Sequence, residues 1–88
     1  MRADFASALV RSRELIITAQ ASIRHARGDV SSGNLLRACV ATAHALGYLE
    51  AMSLADKNPA PSIWEDIEEM GNELKDLSLV LTKHEVGN

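Results

Sequence analysis

Apolar positions recur at steps of three and four along three long stretches of the chain, separated by two breaks. The breaks read "RGDVSSGN" at 27–34 and "DKNPAPS" at 56–62. None of the three stretches sustains the period-two alternation of a strand, so each is read as a helix. The first helix is expected over 4–27, where Phe5, Leu9, Ser12, Ile16, Ala19, Ile23 and Ala26 form a heptad-like seam. Large and small residues alternate along it, which lets a neighbouring helix come close. Leu15 and Ile17 add apolar surface beside the seam.

The third helix is expected over 62–84. Ile63, Ile67, Met70, Leu74, Leu77 and Leu81 make the cleanest stripe in the chain. Ser62 followed by Glu65 reads as a capping box, with Pro61 ending the preceding segment. Glu65, Asp66, Glu68, Glu69, Glu73 and Asp76 crowd the remaining faces, as on a solvated surface.

The second helix, over 35–56, carries two apolar sets. One is Leu35, Cys39, Leu46 and Leu49; the other is Leu36, Val40, Ala43 and Gly47. On a helical wheel they lie about 110° apart. Two apolar faces imply two neighbours, which puts this helix in the middle, and a charge placed at Val40 or Leu46 is expected to break the core. At the first break, Gly28 suits the position just past a helix end, and Ser31, Ser32 or Asn34 suits an N-cap. Short connections make consecutive helices antiparallel. The expected architecture is all-α, a single domain over 1–88. It has three long antiparallel helices as a bundle, helix 2 central, completed by dimerisation.

Composition narrows the class. Hydrophobic residues make up 47% of the 88 and aromatic ones only 3%, so the chain is not disordered and its core is aliphatic. A chain of this length buries only about 60–65% of its unfolded surface. With Cys39 as the only cysteine, no internal disulfide forms, and its apolar surroundings suit a small buried hydrophobe. The sequence shows neither an apolar run long enough to span a bilayer nor the apolar core of a signal peptide, so a cytoplasmic location and no membrane partner are expected.

Charge is divided between the halves. Residues 1–37 hold six arginines against Asp4, Glu14 and Asp29, whereas residues 38–88 hold three lysines against nine acids. Such halves attract each other within one fold. Six dispersed arginines are too sparse for a nucleic-acid footprint.

Candidate chemistry is thin. His25, His44 and His84 have no metal-ligand spacing, and no phosphate-binding loop or nucleophile–base set is recognisable. No metal, cofactor or small-molecule substrate is expected. The tripeptide at 27–29 matches an adhesion motif, but Gly28 is explained by helix termination. Glu50 points between the two apolar sets of helix 2. It is expected to join Ser12 of helix 1 in a buried polar layer, reached by Arg11 or Arg13, because a lone carboxylate in a core is costly.

Arg37, His44 and Tyr48 fall within about 40° on the wheel, among Ala41, Ala45 and Ala51. Three helices of about 24 residues, each roughly 36 Å long, would form a flat sheet with exposed apolar flanks. A partner is then expected to cover them, with Arg37, His44, Tyr48, Met52, Leu54 and Trp64 at the interface. These features point to a non-enzymatic regulatory or interaction protein that self-associates or binds another protein. Arg37 and His44, six residues between them, also resemble the short Arg–His motif of the HEPN ribonucleases, small helical proteins that dimerise to pair two such motifs. That resemblance covers eight residues and implies metal-independent RNA cleavage by Arg37 and His44. The sequence departs from the family at Ala38, which is often polar there, and in having only three long helices.

Overall fold

A computed structural model describes residues 2–55 and 61–86, with side chains from residue 7 onward. The chain forms α1 (Arg2–Gly28), α2 (Ser32–Ala55) and α3 (Pro61–Val86), with no strand among the described residues. The fold is all-α, as expected. The Phe5 side chain of the first seam, the Asp56 end of helix 2 and the Pro59 break lie outside the described residues.

The turn between α1 and α2 is built by side chains. Ser31 is the N-cap among the three candidates: its hydroxyl oxygen accepts the Asn34 backbone N–H at 3.1 Å. The Asn34 side-chain amide donates in turn to the Asp29 carbonyl at 2.8 Å. Gly28 does not take the left-handed position expected of it. It is the last residue of α1, the Asp29 N–H still bonds the His25 carbonyl at 2.9 Å, and no described glycine has positive φ. α3 starts at Pro61, whose missing N–H suits a first helical position. Ser62 therefore sits inside the first turn, not at the cap expected of the Ser62–Glu65 pair, and both residues are exposed.

α2 packs against both other helices, whose backbones stay farther from each other. The molecule measures 50 × 17 × 15 Å. Three helices laid side by side would be roughly 20–25 Å wide and 5 Å thick. The near-equal short axes therefore describe a triangular bundle, and the flat sheet expected above is not formed.

This changes how α2 serves its neighbours. In a triangle both lie on one side of it, so a single seam suffices. That seam is Leu35, Ala38, Thr42, Ala45, Leu49 and Met52, in steps of three and four. It meets Leu15, Ala19, Ile63 and Met70 in one cluster, and Ile23, Ala26 and Leu77 in another. Alanines at its centre let the flanking helices approach. The second apolar set is not core: Leu36, Val40, Ala43 and Gly47 are all exposed, with Val40 61% accessible. A charge at Val40 would meet water.

Buried hydroxyls bond within their own helices. Thr42 donates to the Ala38 carbonyl at 2.7 Å and Ser12 to the Leu9 carbonyl at 2.8 Å. α1 and α3 meet through Arg27, whose guanidinium lies 3.0 Å from Glu73 and 3.5 Å from Asp76. The attraction expected between the basic and acidic halves is realised there.

Candidate functional site: the outward face of α2

On a heptad count, Val40, Gly47 and Leu54 lie diametrically opposite the buried seam, and Leu36, Ala43 and Glu50 lie beside them. The result is a row of Leu36, Val40, Ala43, Gly47 and Leu54 along the back of α2, interrupted by the exposed Glu50 between Gly47 and Leu54. Leu36 is 55% and Leu54 88% exposed. A Cβ added at Gly33 or Gly47 would meet nothing within 4 Å. The bundle itself thus gives no packing reason for glycine at either position.

Charge on this face is sparse. Arg37 and Glu50 are the only formal charges in α2. Both are exposed, and neither forms an ion pair among the described residues. They are thirteen positions apart, about 20 Å along the helix. Glu50 is not in the polar layer expected of it. The triangular packing turns it outward, Ser12 is satisfied by its own helix, and Arg11 pairs with Glu14 at 3.4 Å.

The expected interface residues separate. Arg37 and His44 are exposed in one column, about 10 Å apart along the axis. Tyr48 is half-buried and leans on the core. Met52 is 8% exposed and belongs to the core, because it is the last residue of the buried seam. Leu54 extends the outward row. Trp64 is half-exposed on α3. Missing from the expectations was the core seam through Ala38, Thr42 and Ala45; its signal was the unbroken alternation of threes and fours from Leu35 to Met52.

Exposed apolar side chains also stand on α1, at Val10 and Ile17, and on α3, at Leu79, Val80 and Val86. An open groove between α1 and α3 is lined by Gln20, Arg24, Arg27, Glu69 and Glu73 over Ile23 and Met70. Its charges are of both signs, and Arg27 is engaged with Glu73 and Asp76. That engagement also occupies the arginine of the adhesion-like tripeptide. Cys39 is half-buried against the core. Among the described residues, no three His, Cys, Asp or Glu side chains converge to hold a metal, and no helix is long and apolar enough to cross a membrane. The chain matches no protein family, no curated protein and no solved structure.

Proposed function

We propose that this is a small non-enzymatic interaction protein that acts by protein–protein binding through the outward face of α2, working as a homodimer. One observation carries this reading: Leu36, Val40 and Leu54 stand more than half exposed in a single row, spaced by Ala43 and Gly47, on the side away from the core. Contiguous exposed apolar surface marks interaction sites. Small residues between the large ones let another helix approach closely. No cofactor enters this function.

The test is capture from the native cell on immobilised wild-type protein and on Val40→Asp, which changes a solvent-facing residue. Wild type is expected to retain a specific protein that Val40→Asp loses. Equal capture by the two folded proteins would refute the use of this face.

A second reading, RNA cleavage, draws support from the exposure of Arg37 and His44 in one column. His44 would move a proton and Arg37 would stabilise charge developing on a phosphate. Cleavage of RNA in the presence of a chelator, lost in Arg37→Ala and His44→Ala variants that still fold, would establish it in place of the first.

A further inference from the structure

We draw no further inference here: the strongest candidate, the outward apolar face of α2 through Leu36, Val40 and Leu54, belongs to the function proposed above, and nothing in the structure shows what covers it.

Discussion

Two alanines of α2, two residues apart, allow a sharp test of which way the helix faces. Ala45 is 1% exposed within the cluster that holds Leu15, Leu49 and Met70, whereas Ala43 is exposed. Replacing either with aspartate costs the same intrinsic helix propensity, about 0.5–0.7 kcal/mol. At Ala43 little else changes, since the carboxylate stays in water. At Ala45 the new group must either ionise without a partner in an aliphatic core or stay neutral with unsatisfied oxygens. Either course costs roughly 3–5 kcal/mol, and the added volume in a packed seam a further 1–3 kcal/mol or so. An 88-residue domain has a total stability of about 4–13 kcal/mol. Ala45→Asp is therefore expected to lose most or all of its cooperative transition, and Ala43→Asp to lose about 1 kcal/mol or less. Urea unfolding followed by helical circular dichroism measures both. Equal losses in the two variants, or a larger loss at Ala43, would refute the assigned orientation of α2.

Other consequences follow from single contacts. Met70→Ala removes a side chain that is 1% exposed and is expected to cost about 2–5 kcal/mol, a fall of about 10 °C or more in Tm by calorimetry. Ser31→Ala removes the cap bond to Asn34 and is expected to cost about 1 kcal/mol in urea unfolding. Arg27→Ala breaks the exposed pairs to Glu73 and Asp76; the loss is expected to stay within about 1 kcal/mol and to shrink as salt is added. Gly47→Ala places a methyl group where nothing stands within 4 Å, so the monomer is expected to gain up to about 1 kcal/mol from helix propensity, read by the same unfolding assay.

The three helices and the central place of α2 were legible because heptad spacing and turn residues act locally. α3 was read almost residue by residue, since its stripe is large and aliphatic while its other faces are acidic. In α1, Ser12, Ala19, Ile23 and Ala26 of the expected seam are buried, but Leu15 takes the inward place expected of Ile16 and Leu9 is exposed, because neighbouring apolar residues leave the phase of a helix locally loose. α2 was harder. Large side chains suggest a core, yet its seam relies on Ala38, Thr42 and Ala45, and Leu36 and Val40 are left outside. Nothing local separates an aliphatic residue that packs inward from one that awaits a partner. Placing Glu50 in the core and Met52 at the surface followed from the same misphasing. Whether three helices lie flat or close into a triangle depends on long-range packing, which spacing along a single helix does not report.

Methyl-resolved NMR with a soluble paramagnetic agent, run on dilute and concentrated protein, tests the outward face of α2 most directly. In dilute solution Leu36, Val40 and Leu54 should relax strongly, and Leu35, Leu49 and Leu77 should be shielded at every concentration. On concentration, Leu36, Val40 and Leu54 should become protected, while Ile17 and Leu79, exposed on the other helices, should stay open. Shielding of Leu36 and Val40 in the dilute monomer would contradict the fold of α2, and protection spreading over Ile17 and Leu79 while sparing Val40 would contradict its role as the binding face.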